Sequence, residues 1–313
     1  MAEFRRQQGW TLIEMLITVA LSLFFTLLLV SSWQVNYQAF KQTSQLSELQ
    51  QSAQFVLGFF QHELGNQNFW AGADPALLQR PAGVTVVGDC RSALDSGSFP
   101  AATLVFVPVL SGTVGSSLTP DCITSVHKGS DFLQVKRLAG NPLLAAQAQG
   151  NRVYLQQRGR HYRFVSQATS ANNTHYWPYL HQLFYVAMQT QGQQQVPVLM
   201  RKRLVRQNGG QLTMDTDSVL DGVEMLHFEA GVDSNFDGQV DYLRDVNQIP
   251  ADVWQQRSGQ VLQLRYFVLV RSVMPDKNYT NVQQYALGKR LFRAPGDHYR
   301  RLLVSSAVTF NNY

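Results

Sequence analysis

One stretch near the start limits what this chain can become. Residues 1–9 carry Arg5 and Arg6 and end in Gly9. Trp10 follows, and residues 11–30 form an apolar run whose one charged side chain is Glu14. Roughly 20 helical residues cross the hydrocarbon core of a bilayer, so the run is predicted to be a transmembrane helix. The two arginines put residues 1–9 on the cytoplasmic side and the bulk of the chain outside. A secretory signal peptide has an apolar core of about 7–15 residues and a small-residue cleavage site. This run is longer, and no such site follows it. A plain signal anchor explains the arginines and the helix but has no use for Glu14. A lone carboxylate in an apolar layer is costly and is read as functional. A positive charge in the same layer would relieve it. The α-amino group freed by cutting after Gly9 on a neighbouring copy is such a charge.

Beyond Val30 the chain turns polar, with no Pro or Gly before Gly58. Leu46, Leu49, Ala53, Val56, Leu57, Phe60 and Leu64 recur at three- and four-residue steps, the stripe of an amphipathic helix. One long helix is therefore expected over residues 11–64, apolar all round in its first half and one-faced in its second. From Ala73 the pattern becomes short β runs between turn residues. Strands are expected at residues 103–110, 132–137, 152–158, 161–166, 183–189, 196–205, 262–270 and 302–310. Pro108 argues for an edge or a strand end. Residues 111–117 and 170–173 read as loops. The expected fold class is α+β, a largely antiparallel sheet packed on the second half of the helix. The expected divisions are a leader (1–9), a transmembrane half-helix (10–30), an amphipathic half-helix (31–64) and a β-rich region (65–313) that divides into one unit or two.

The chain has 313 residues, a formal charge of +5 and 15% charged residues. That mild balance points away from a dedicated nucleic-acid binder. Arg201, Lys202, Arg203 and Arg206 form only a short basic cluster, read as an exposed strand face. Asp215, Asp217 and Asp221 read as a solvated face. The two cysteines, Cys90 and Cys122, suggest one disulfide in an exported domain, the alternative being two buried free thiols.

One constellation suggests inorganic chemistry. Asp233, Asn235, Asp237, Gln239 and Asp241 alternate around Gly238, like the start of an EF-hand loop. Calcium takes roughly six to eight oxygens, and alternate side chains on a tightly curled loop converge. Asp233, Asn235, Asp237 and Asp241 would give side-chain oxygens and Gln239 its carbonyl. Arg244 stands where an EF-hand has its bidentate Glu, and Asp245 follows as a substitute. The competing reading is a β-turn at Asp237-Gly238. No HExxH, GxSxG, P-loop, GxGxxG or CxxC motif occurs, so no enzyme is expected.

The stretch GWTLIEMLITVALSLF resembles the signal of type IV prepilins and pseudopilins: a basic leader ending in Gly, an aromatic first mature residue and Glu at the fifth. Gly9, Trp10 and Glu14 fall on those positions, with Trp10 where Phe is usual. Residues 53–72, 221–241, 261–272 and 299–309 are similar to segments of the PilW family of minor pilins. The resemblance implies cutting after Gly9 by a prepilin peptidase, N-methylation of Trp10, and pairing of Glu14 with a neighbour's N-terminus. It also implies a place in the inner membrane with the C-terminal domain in the periplasm, and then at the pilus tip. The implied partners are other minor pilins, the major pilin and a tip adhesin. The implied task is priming or capping assembly. Two alternatives are a J-type minor pseudopilin of type II secretion, usually shorter than this chain, and a DNA-receptor pilin for uptake.

Overall fold

The computed structural model describes residues 11–124 and 126–310. It is α+β: helix α1 (Leu12–Gly65) and a largely antiparallel β domain. The chain divides into two units, residues 1–48 and 49–313. The described residues of the first are the N-terminal part of α1, apolar as far as Val30 and more polar beyond it. The second holds the rest of α1 and every strand.

The larger sheet contains β1 (Val86–Val87), β2 (Val109–Thr113), β3 (Asp131–Leu138), β4 (Val153–Arg158), β5 (His161–Val165), β6 (Thr174–Gln191), β7 (Gln194–Arg206) and β8 (Leu212–Asp221). Its main order is β1-β8-β7-β6-β3-β2. The β4–β5 hairpin, turning at Gly159, pairs through β4 with the first residues of β6. The β1–β8 pair is parallel and the others are antiparallel. The second sheet runs β10-β9-β11-β14, from β9 (Val223–Asp233), β10 (Tyr242–Asp245), β11 (Gln260–Arg271) and β14 (Arg301–Thr309). A short helix, α2 (Ala251–Trp254), precedes β11, and β12 (Gln284–Leu287) pairs with β13 (Arg290–Arg293).

The amphipathic stripe explains how α1 joins the domain. Leu49, Ala53, Val56, Phe60 and Leu64 are buried and Leu57 is half-buried, whereas Leu46 is exposed. Phe60 is the centre. Its ring lies 5.7 Å from Phe184 of β6, 6.0 Å from Phe228 of β9 and 5.5 Å from Tyr266 of β11. One side chain thus touches both sheets. Tyr266 also donates its hydroxyl to the Leu57 carbonyl at 2.9 Å. Glu63 meets Arg137 of β3 at 3.2 Å.

Several strands extend past their sequence signals. β6 and β7 continue through polar residues because they pair with each other as far as Gln191 and Gln194, and β6 pairs with β4 over its first residues. Residues 103–108 are a correction, since the strand begins only at Val109. Their backbone groups are taken elsewhere: Val107 N donates to the Asp95 carboxylate, and Ser96 N donates to the Val105 carbonyl. Residues 111–113, expected as loop, belong to β2 and pair with β3. The segment before β2 is held by a fully buried pair, Lys136 Nζ and Asp95 at 2.6 Å. Asp95 also accepts from Gln134 and the Gly97 amide, so its lone pairs are satisfied. Burial lowers the Lys136 pKa against the opposing pull of Asp95.

Only Gly222 separates β8 in one sheet from β9 in the other. It has φ +83°, its amide donates to Pro197 O at 2.8 Å, and its carbonyl accepts from Arg271 N at 2.7 Å. A Cβ there would lie 2.5 Å from the Arg271 carbonyl oxygen. Gly222→Ala is therefore expected to lower stability by about 2–4 kcal/mol, from left-handed backbone strain plus that clash. Denaturant unfolding measures it.

His181 of β6 is buried beside Ser98. Ser98 Oγ donates to Asp89 at 2.6 Å and lies 2.8 Å from His181 Nδ1, so Nδ1 carries the proton and Nε2 has no partner. Burial, with Lys136 adding to it, depresses the imidazole pKa well below the usual histidine value. The unfolded chain takes up a proton near pH ~6.5 that the folded chain refuses. Stability is thus full above that pH and falls as pH drops through it, by up to about 1.4 kcal/mol per pH unit. The melting temperature should decline between about pH 7 and pH 5, and less steeply in His181→Gln.

Candidate functional site

The first candidate site is the start of α1. Gly9 and Trp10 lie outside the described residues. Glu14 sits in the first turn, and the Thr11 amide and hydroxyl donate to its Oε2 at 3.0 and 3.1 Å, while Glu14 N donates to Thr11 Oγ1 at 3.4 Å. This reciprocal cap satisfies orphan amides at the helix start. Both partners are neutral and local, so Glu14 has no counter-charge among the described residues. The side chains of residues 12–30 are exposed, and α1 is long and apolar enough to cross a membrane. The hydroxyls of this run turn inward on the helix. Thr18 donates to Met15 O at 2.9 Å, Ser22 to Val19 O at 2.8 Å and Thr26 to Ser22 O at 2.6 Å. In hydrocarbon each polar group must find its partner internally, and these do.

The second candidate is the loop after β9. Asp233, fully buried, closes that strand and organises the turn. Its Oδ1 accepts from the Asn235 amide at 3.2 Å. Its Oδ2 accepts from the Gly238 amide at 2.9 Å and from Gln260 Nε2 at 3.0 Å. Burial alone would raise its pKa, but these hydrogen bonds hold it below the ordinary carboxylate value. Asp237 accepts from the Gln239 amide and from Asn235 Nδ2, and Asp241 accepts from the Ser234 amide and hydroxyl. Gly238, at φ +84°, allows the chain to fold back on Asp233. Here the oxygens of the loop serve its own amides. Among the described residues no group of three or more His, Cys, Asp or Glu side chains is placed to hold a metal ion.

Cys90 and Cys122 are joined, with Cα atoms 4.8 Å apart and a sequence separation of 32. The bridge ties down a segment with little regular structure, and a cross-link of this span is worth about 3–4 kcal/mol in the chain-entropy model.

The basic cluster lies on β7 opposite the acids of β8. Arg201 meets Asp217 at 2.6 Å, Arg203 reaches the same carboxylate at 3.9 Å, and Lys202 donates to Thr216 at 2.7 Å. Arg206 donates to the Gly150 carbonyl at 3.0 Å. Of the acids that read as a solvated face, Asp215 and Asp217 stand across the ladder from Arg203 and Arg201, whereas Asp221 faces Val198 and accepts from Gln191; Asp215 and Asp221 are exposed. Of the four cations, Arg201 and Arg203 share the one carboxylate of Asp217, while Lys202 and Arg206 bond to neutral oxygens and keep the charge that phosphate binding depends on.

Sequence reasoning missed the charge networks. Arg301 forks to Glu224 at 2.6 and 2.9 Å and to Asp297 at 2.6 Å with both outer nitrogens, joining β14, β9 and the loop before β14. Its pKa is raised: burial opposes the charge, but the bonds to Asp297 and Glu224 outweigh it. His227 of β9 lies 2.9 Å from Asp131 of β3, with its other nitrogen 3.7 Å from Asp245. These residues are distant in sequence and carry no motif.

In a comparison with families of known proteins, the family model for PilW, Type IV Pilus-assembly protein W, matches residues 183–312. That span begins within β6 and runs through β14, so it covers the whole second sheet and the loop at Asp233. No curated protein and no solved structure gives a significant match. Over residues 183–312 the chain is accordingly similar to the PilW family of type IV pilus-assembly proteins.

Proposed function

We propose that the chain is a minor pilin, cut after Gly9 and N-methylated at Trp10, that enters a type IV pilus during priming or capping. It works by assembly rather than catalysis. The single observation that carries this reading is the junction of two parts. A membrane-length apolar helix with a lone acid, Glu14, in its first turn leads directly into a β domain matched by the PilW family. The β domain would stand in the periplasm and later at the filament tip. Other pilins, the prepilin peptidase and a tip adhesin are the proposed partners.

Glu14 supplies register. Pairing with the N-terminal amine of a neighbour gains in a low dielectric, but desolvation takes most of that gain back. An unpaired Glu14 is penalised, so subunits settle at one axial offset. Glu14→Ala is expected to leave membrane insertion intact and to cut incorporation into pili about tenfold or more, a loss of at least ~1.4 kcal/mol in pairing. Fractionation and immunoblotting of membranes and sheared pili measure it, and equal incorporation of the variant would refute the pairing. N-terminal sequencing of the recovered chain should begin at Trp10.

A calcium-bound form of the loop at residues 233–241 is a further part of the proposal. It is supported by the alternation of oxygen-bearing side chains and by the turn at Gly238. The expected outcome is a rise in melting temperature of the full-length protein in detergent on adding CaCl2, absent in Asp237→Ala. An unchanged melting curve with millimolar calcium removes the metal and leaves the pilin reading standing.

The J-type pseudopilin reading shares the signal and the helix, and the PilW match weighs against it. The DNA-receptor reading is weakened by the mild charge balance of the chain, since the basic residues on β7 form only a short cluster.

A further inference from the structure

An open sheet edge presents a row of unpaired N–H and C=O groups. Proteins blunt such edges by brevity, charge, bulges or cover. Among the described residues, this domain blunts nearly all of its edges. β1 has two residues, and β10 has four with Arg244 and Asp245 among them. β5 has five, including His161 and Arg163. β2 also has five, and the Thr113 amide at its end is capped by Asn247 Oδ1 at 2.8 Å. β8, where it runs past β1, carries Asp215, Asp217 and Asp221 and a register shift against β7.

β14 has none of these devices. It is nine residues long, ends its sheet, and pairs with β11 from Arg301 to Thr309 with no register shift. After Arg301 it contains no charge and no proline. The ladder shows which groups are free. Phe310 N donates to Leu262 O at 2.6 Å and Ser272 N donates to Arg300 O at 2.8 Å. Hydrogen-bonded pairs alternate in an antiparallel ladder, so the even-numbered residues from 300 to 310 face β11. Leu303, Ser305, Ala307 and Thr309 therefore turn their N–H and C=O groups to the open side. Ser305, Ala307 and Thr309 are exposed.

We infer that this edge receives an extended strand from a different subunit of the pilus, which becomes a fifth strand of the four-stranded sheet. The inference rests on the pilin reading above. The chemistry of the occupant follows from the edge. Main-chain hydrogen bonds give the affinity, as in strand addition generally. The small side chains of Ser305, Ala307 and Thr309 let another backbone approach on one face. On the other face Leu302 and Val304, half-buried, and Val308, buried, pack on the core that includes Phe60. The incoming strand is therefore uncharged over about five residues, with apolar residues at the parity that extends this layer. A second copy of the chain fits poorly. Antiparallel pairing of β14 with itself has its two-fold axis normal to the sheet. It would set the 49–65 helices of the two copies antiparallel, at odds with two chains that both enter their domains from one membrane.

The test uses the full-length chain in its own membrane and pili. Ala307→Pro removes one outward N–H, a change tolerated on an edge that faces solvent. Ala307→Lys keeps the backbone and adds an edge charge. Both are expected to insert in the membrane and melt as the wild type does, yet to fall about tenfold or more in sheared pili, whereas Ala307→Val stays at the wild-type level. Ser306→Pro removes an inward amide and is expected to lower the melting temperature. A photoreactive phenylalanine analogue at Ser305 should cross-link the chain to another pilus-assembly subunit, identified by mass spectrometry. Wild-type incorporation of both Ala307→Pro and Ala307→Lys overturns the inference, as does a Ser305 cross-link only to a second copy or to lipid. If the wild-type chain itself never reaches sheared pili, the pilin reading fails and takes the inference with it. Normal incorporation of the two edge variants removes the inference alone.

Discussion

The domain depends on one aromatic contact. Phe60 touches β6 of the larger sheet and β9 and β11 of the smaller one, at the centre of a continuous apolar core to which both sheets contribute. A sheet must bury one face against another element. Here a single helix face serves two sheets at once. The other links are local by comparison. Gly222 passes the chain from one sheet to the other, and His227 bridges β9 to Asp131 of β3. Each of these couples two points, whereas the Phe60 ring sits where three strands converge. Removing a buried Phe typically costs about 3–5 kcal/mol, a large share of the stability of an ordinary domain.

How far the sequence reveals this architecture depends on the range of the forces involved. The helix was legible because its signals are local: an apolar run, then a stripe at three- and four-residue steps that ends near Leu64. The β4–β5 hairpin was legible from Gly159, and β11 from its alternating apolar residues. The stretch at residues 103–108 looked like a strand because it is apolar, yet its amide at Val107 bonds to a side chain, that of Asp95, 12 residues away. Composition gives no sign of that partner. The same holds for β8, whose three aspartates suggested a solvated face. The ladder sets Asp215 and Asp217 across from Arg203 and Arg201 of β7, while Asp221 accepts from Gln191 of β6, and only the pairing register brings Asp217 to Arg201.

The candidate sites divide along the same line. Glu14 stands out by its position in an apolar run, which needs no tertiary information. The loop at Asp233 also stands out in sequence, but the structure adds what spacing cannot: its carboxylates already serve backbone amides and Gln260. The open edge of β14 was invisible at the level of residues. A run such as Leu302 to Thr309 reads as an ordinary half-buried strand. Its lack of a neighbour appears only once sheet order is known.

The seating of α1 has a mechanical consequence. A pull along the helix axis within residues 49–65 loads Phe60, Leu57 and Glu63 together. These attachments reach both sheets and β3 through side chains that stand across the line of force. They would have to slide out in concert, unlike a β-ladder peeled one hydrogen bond at a time. Resistance to such a load is set by the barrier to unfolding rather than by equilibrium stability. A domain held in this way should yield late and all at once when the load enters through residues 49–65.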